Sequence, residues 1–316
     1  MYSIQNGLGS KWRPMAGVYA FFGLVAALGV GNATQINAVI GGIGSVLNAF
    51  GKELPFAWIL GIGILLAVMI TVTLAGGAGR IGRAAEAIVP VAAVFYILLA
   101  LFALTFRVKY IPQAFSAVFC GAFDPGAVTG GVIGSWFVVL RVGAARGVFT
   151  NEAGMGTASI AHAGAEVEHP TEQGLMGIME VFIDTILICT LTAMVILTSG
   201  VHIPYGYDAG VGLTADAFSS VFGSWITIPI TLCLCAFAIA TVLGWSLYGV
   251  RCAQYLFGEG VWKHFAFAQG AMVLVGAILG TGTVWILSEM INGLMSIPNL
   301  IALAMLTPEI LKQMKK

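Results

Sequence analysis

Long apolar runs separated by short polar stretches organise the chain. Eight of these runs stand out, at 14–38, 55–75, 88–106, 127–144, 174–199, 225–249, 264–287 and 290–307. Each comes close to the roughly 20 residues that carry a helix across a bilayer. The fourth is the weakest, being rich in glycine and ending at Arg141. A short amphipathic piece, IPQAFSAVF at 111–119, is predicted to lie at a membrane interface or to start a re-entrant hairpin. The opening MYSIQNGLGSKWRP has no apolar core of the kind a signal peptide needs and reads as an amphipathic loop feeding a helix.

Composition turns that pattern into a class. Hydrophobic residues make up 59% of the 316 and charged residues 9%, whereas a soluble domain carries about 25% charged residues. Mean hydropathy is +0.97. The expected fold is therefore an all-α polytopic membrane protein with about eight transmembrane helices in one transmembrane domain over 1–316. The 42 glycines suit membrane helices, where small residues let backbones approach closely. Net charge is zero, so nothing points to nucleic acid, and the partners to expect are lipid and a small solute. The five cysteines are scattered and argue against disulfides or zinc.

Lysine and arginine test the span assignment. With eight spans, eleven of the fourteen fall on one side: Lys11, Arg13, Arg80, Arg83, Arg141, Arg146, Arg251, Lys263, Lys312, Lys315 and Lys316. Lys52, Arg107 and Lys109 fall on the other. The positive-inside rule then places both ends of this chain in the cytoplasm of a multi-pass cell-membrane protein.

Polar groups inside apolar runs are costly and therefore mark candidate function. GVGNATQIN places Asn32, Thr34, Gln35 and Asn37 at the far end of the first span, either as interfacial packing or as amides facing a cavity. Glu180 and Asp184 stand at i and i+4 in the fifth span, hence on one face. They either share a proton or hold a cation, or Glu180 pairs with Arg146 or Arg141. Thr241 and Ser246 in the sixth span face a cavity or bond back to their own helix. Asn292 lies in the eighth, near Pro298, whose missing N–H frees a carbonyl. Enzyme templates are absent: no HExxH, GxSxG or Walker lysine occurs, and the four histidines are dispersed. No catalytic residue, cofactor or resident metal is expected.

One polar interruption is FTNEAGMGTASIAHA at 149–163. Thr150 or Asn151 is expected to cap a short helix whose first turn carries Glu152 favourably against the dipole. Gly154 and Gly156 would let that turn close against neighbouring backbone. Glu152 is expected to pair with Arg146 or Arg141 rather than to carry a proton. The stretch reads as an inner gate or hinge, with a plain structural loop or direct substrate or ion contact as the other readings.

RGVFTNEAGMGTASIAHA (146–163) followed by HPTEQGLMGIMEVFIDTILICT (169–190) resembles the signature of the alanine or glycine:cation symporters, also called sodium:alanine symporters. MYSIQNGLG, GVGNATQIN, GRIGRAAEAIVP, FAIATVLGWSLYG and INGLMSIPNLIAL extend the resemblance along the whole chain. It implies secondary transport of a small neutral amino acid, alanine or glycine, by symport with sodium or protons. It also implies a leucine-transporter-type inverted-repeat fold with its site near the midplane.

The resemblance further implies that Asn32 and Gln35 line the substrate cavity and that the Thr241 hydroxyl helps hold sodium. Trp136, in GGVIGSWF, is by position a residue that closes over an amino-acid side chain. Two departures stand out: Ala240 where the family often has a hydroxyl, and Leu247, Tyr248, Gly249, Val250 where it usually has Tyr-Tyr-Gly-Glu. Met1 aligns with an internal stretch of the family. The chain is thus expected to represent the C-terminal two-thirds of that fold, with roughly three N-terminal helices beyond it. A non-transporting remnant, serving at most as a membrane scaffold or interaction partner, is the alternative.

Overall fold

The structure, a computed structural model, describes residues 1–123, 133–152, 154–203 and 210–313. Twelve helical elements run through them. They are α1 (Tyr2–Leu8), α2 (Ser10–Ala49), α3 (Phe56–Ala75), α4 (Ala78–Phe106), α5 (Ile111–Phe123) and α6 (Ile133–Thr150). Then follow α7 (Ala158–His162), α8 (Pro170–Ser199), α9 (Gly212–Phe222), α10 (Ser224–Phe257), α11 (Glu259–Ile278) and α12 (Thr281–Gln313). Among the described residues there is no strand.

Seven helices are long and apolar enough to cross a membrane: α2, α3, α4, α8, α10, α11 and most of α12. They coincide with seven of the eight expected runs. The remaining run, 127–144, lies in part outside the described residues, and α6 contains its second half. The molecule is a polytopic helical membrane protein. Its outward side chains are those a hydrocarbon solvent tolerates, with Leu65, Leu98 and Leu232 among many large apolar groups left exposed.

Two boundaries differ from expectation, each for a local reason. The first helix does not end near 38, and Gly29 and Gly31 lie in its middle. The chain absorbs the irregularity as a wider π-type turn at Gly29–Ala33 and continues to Ala49. The seventh and eighth spans part at Leu279, not at 288–289: Leu279 is extended (ψ 145) before Gly280, and α12 starts at Thr281. The Asn37 side-chain amide donates to the Leu279 carbonyl at 2.7 Å, satisfying an acceptor that a helix end leaves free.

Helices α2, α10 and α11 meet at the centre. Gly276 on α11 approaches Ala33 so closely that a Cβ there would lie 2.6 Å from the Ala33 Cα. Only glycine permits that backbone contact, the usual device for helix association in lipid. Trp245 of α10 covers Gly31 within the π-type turn. Around this centre lie three apolar clusters. One joins α2, α3, α10 and α11 through Ile36, Ile70, Val242 and Val273. Another gathers Tyr19, Trp245, Phe265 and Met295. The third joins α4, α8, α9 and α10 through Tyr96, Val195, Phe218 and Ile230.

Candidate functional site

The site starts at the C-terminal end of α6. Glu152 follows that end with φ 49, and Gly154 and Gly156 have φ 75 and 79. Left-handed backbone costs a non-glycine residue about 1–2 kcal/mol, so the fold holds Glu152 there against its local preference. The reversal drives Met155 into full burial beside Tyr19, Met295 and Ala302. The Asn299 amide of α12 donates to the Gly154 carbonyl at 2.8 Å. A Cβ on Gly156 would sit 2.6 Å from the Asn299 Cγ and 3.0 Å from the Tyr19 hydroxyl. The loop is thus clamped between α2 and α12.

This corrects the expected cap. Neither Thr150 nor Asn151 opens a helix with Glu152 in its first turn. Thr150 closes α6, Glu152 follows it, and the next helix begins only at Ala158. The physical reason lies in the two glycines, which turn the chain before a new helical turn can form. Asn151 instead accepts a hydrogen bond from the Thr185 hydroxyl of α8, within that helix's own π-type turn at Phe182–Cys189.

Loop, α4, α7, α8 and α10 enclose a cavity of about 640 Å³. Its polar lining includes Asn151, Glu152, His162, Glu180, Asp184 and Thr241, and Phe237, Val89 and Ala93 contribute an apolar wall. No Lys or Arg lines it among the described residues. His162 Nε2 lies 3.4 Å from the Glu180 carboxylate. His162 Nδ1 meets the Gln173 amide at 2.5 Å. An amide donor on Nδ1 leaves Nε2 as the N–H that faces Glu180. Thr241 donates to the Phe237 carbonyl at 2.9 Å, one turn back; its oxygen keeps acceptor capacity toward the cavity.

Glu152 is the carboxyl group on this wall whose proton affinity burial raises most clearly. Burial pushes its carboxyl up to about 7. The Thr157 hydroxyl, 2.6 Å away, opposes that push, the Glu180 carboxylate adds to it, and the nearby polar hydrogens of Tyr248 and Trp245 again oppose it. The arginine pairing expected for Glu152, and one of the two readings for Glu180, is not what the structure has. Arg146 meets Glu289 of α12 at 3.0 Å, Arg141 is exposed, and Glu180 faces His162. The left-handed turn aims the Glu152 carboxylate toward Thr157 and α10 while Arg146, earlier on α6, reaches α12.

The cavity therefore brings together Asn151, Glu152, Asp184 and Thr241. Others from the sequence lie elsewhere. Asn32 is fully buried mid-helix rather than at a helix end, and donates to the Gln269 backbone and side-chain oxygens at 2.8 and 3.0 Å. Gln269 donates onward to the Ser246 hydroxyl at 2.8 Å. Gln35 is half-buried, 3.5 Å from the Thr34 hydroxyl. Neither Asn32 nor Gln35 lines this cavity. Asn292 is buried in α12, with neither amide atom partnered among the described residues. Trp136 belongs to α6, but its side chain lies outside the described residues. Sequence reasoning missed Gln269 and Glu289. Gln269 carried a usable signal, a polar side chain inside an apolar span.

A sequence profile of the sodium:alanine symporter family matches residues 1–316. A sodium/alanine symporter of Methanococcus maripaludis is 37% identical over 319 residues, covering 100% of this chain and 68% of its own length. A transporter of Haemophilus influenzae is 36% identical over 318 residues, covering 100% and 67%. An amino-acid carrier protein of Bacillus subtilis is 34% identical over 307 residues, covering 97% and 63%. The chain thus spans about two-thirds of the length of these relatives.

Proposed function

The chain belongs to the sodium:alanine symporter family, a family of transporters rather than enzymes, and on that premise we propose that it carries a small neutral amino acid, alanine or glycine, across the cell membrane together with sodium or protons. The observation that carries this reading is the lining of the cavity. Three carboxylates and a hydroxyl face one space without a lining Lys or Arg among the described residues, so its field favours an ammonium group or an alkali cation. The apolar wall of Phe237, Val89 and Ala93 suits a short aliphatic side chain. Thr241 contributes an oxygen toward the cation, and Asn151 an amide toward the solute.

The mechanism is alternating access. Solute and cation bind together and shift the balance between two conformations by their differential affinity for them. The clamped loop at 151–157 is the inner gate. It is tied to α12 through Asn299 and to α8 through the Asn151–Thr185 bond, so displacing either helix displaces the cavity wall. Both chain ends are cytoplasmic on this reading.

Proteoliposomes carrying the protein should accumulate labelled alanine when an inward sodium or proton gradient is imposed, and lose the uptake when the gradient is collapsed. No gradient-driven uptake of alanine, glycine or serine would leave the scaffold without this activity.

A further inference from the structure

Three carboxylates, Glu152, Glu180 and Asp184, face one cavity, and they are not equivalent. The Glu180 side chain is 68% exposed, and Asp184 is half-buried on the same helix face. Glu152 alone is fixed by a left-handed backbone, and its carboxylate accepts a hydrogen bond from Thr157. It also follows the C-terminal end of α6, where the helix dipole disfavours negative charge. The groups that face it are Glu180 and Asp184 from α8, His162 from α7, Tyr248 from α10 and Tyr19 from α2. Arg146 on α6 is held by Glu289 of α12.

Carboxylates sharing a site do not all ionise cheaply. The most enclosed of them takes the proton first.

We propose that Glu152 is a proton-binding group whose protonation competes with occupation of the cavity by an alkali cation. The proposal rests on the reading of the cavity as a cation-coupled carrier site and names the residue through which pH acts on it. The neutral form of Glu152 leaves the cavity with less negative charge and a weaker hold on a cation. The ionised form restores that charge, and a cation offsets the cost of burying it. Because such linkage is reciprocal, sodium lowers the proton affinity of Glu152 by the factor by which the proton lowers sodium affinity.

The direction of the pH effect follows. The carboxyl is raised toward 7 by burial, so the neutral form dominates below that pH and the ionised form above it. Apparent sodium affinity therefore climbs as pH rises through this window and levels off on the alkaline side.

Infrared titration of the purified chain in nanodiscs, with ¹³C-labelled glutamate to separate Glu from Asp, reads the proton directly and needs no transport. The expected result is a protonated-glutamate carbonyl band that disappears as pH rises through about 7. Sodium should move its midpoint to lower pH, whereas the same concentration of N-methylglucamine should not. Glu152→Gln should abolish the band. Glu180→Gln should keep it but lower its midpoint, because the Glu180 charge helps to raise the proton affinity of Glu152. That second variant assigns the band even if Glu152→Gln fails to fold.

A band surviving in Glu152→Gln, no glutamate titrating in this range, or a midpoint indifferent to sodium would each overturn the proposal. A sodium-sensitive band in a chain that takes up no amino acid would retain the proton–cation competition and defeat only the transport reading.

Discussion

Asn32 makes buried polar contacts that join distant parts of the chain. Its amide donates twice to Gln269, and Gln269 donates to Ser246 and to the Ala27 carbonyl at 3.3 Å. Three helices are thereby joined at the π-type turn, where a polar group in lipid has no water to fall back on. Interhelical hydrogen bonds of this kind contribute about 0.6 kcal/mol on average and up to about 1.7, while an orphaned partner costs about 1–3 kcal/mol. Asn32→Ala and Gln269→Ala should therefore each lower unfolding stability in detergent. The double variant should lose less than the two losses combined, by about 1 kcal/mol; strict additivity would show that the amides do not act on each other. Asn32 stands out in the sequence as a polar residue in an apolar run. Its partner, 237 residues away in sequence, was not legible, because one sequence carries no record of which faces meet.

At the scale of an element, the loop at 151–157 shows what residue type reveals and what it hides. Gly154 and Gly156 announced a turn, and both adopt the left-handed backbone that glycine alone enters freely. Glu152 shares that region, and nothing about a glutamate signals it. The expected helix start at Thr150 or Asn151 failed for this reason, and the carboxylate consequently faces α10 rather than an arginine on α6. Gly156→Ala combines a disfavoured φ with a Cβ driven into Asn299 and Tyr19, so it should destabilise the protein by more than about 1 kcal/mol. Gly17→Ala, in a helical stretch with open space at its Cβ, should be neutral or gain up to about 1 kcal/mol from helix propensity. Thermal unfolding of the two variants side by side tests the contrast; equal effects would mean that the loop is not clamped.

For the whole molecule, run length was legible because the bilayer imposes it, and seven expected spans recur as helices with apolar outer faces. Helix ends were less so, since Asn37 and Leu279 determine one of them through a tertiary contact. The same solvent argument separates two kinds of exposed position. Leu98 of α4 is 61% exposed and, being apolar, belongs against acyl chains. Glu180 of α8 is exposed to a similar degree, yet a carboxylate at the centre of a bilayer costs about 2.5–3.5 kcal/mol even on the lenient insertion scale. We therefore expect the cavity that Glu180 lines to admit water. With the exposed Cys120 replaced by serine, a Glu180→Cys variant should react with a membrane-impermeant, charged thiol reagent, and Leu98→Cys should not. Sodium together with alanine should slow the reaction at position 180 if solute and cation occupy the same space. Labelling confined to membrane-permeant reagents at both positions would place Glu180 against lipid and remove the physical basis for reading this cavity as the route of a polar solute.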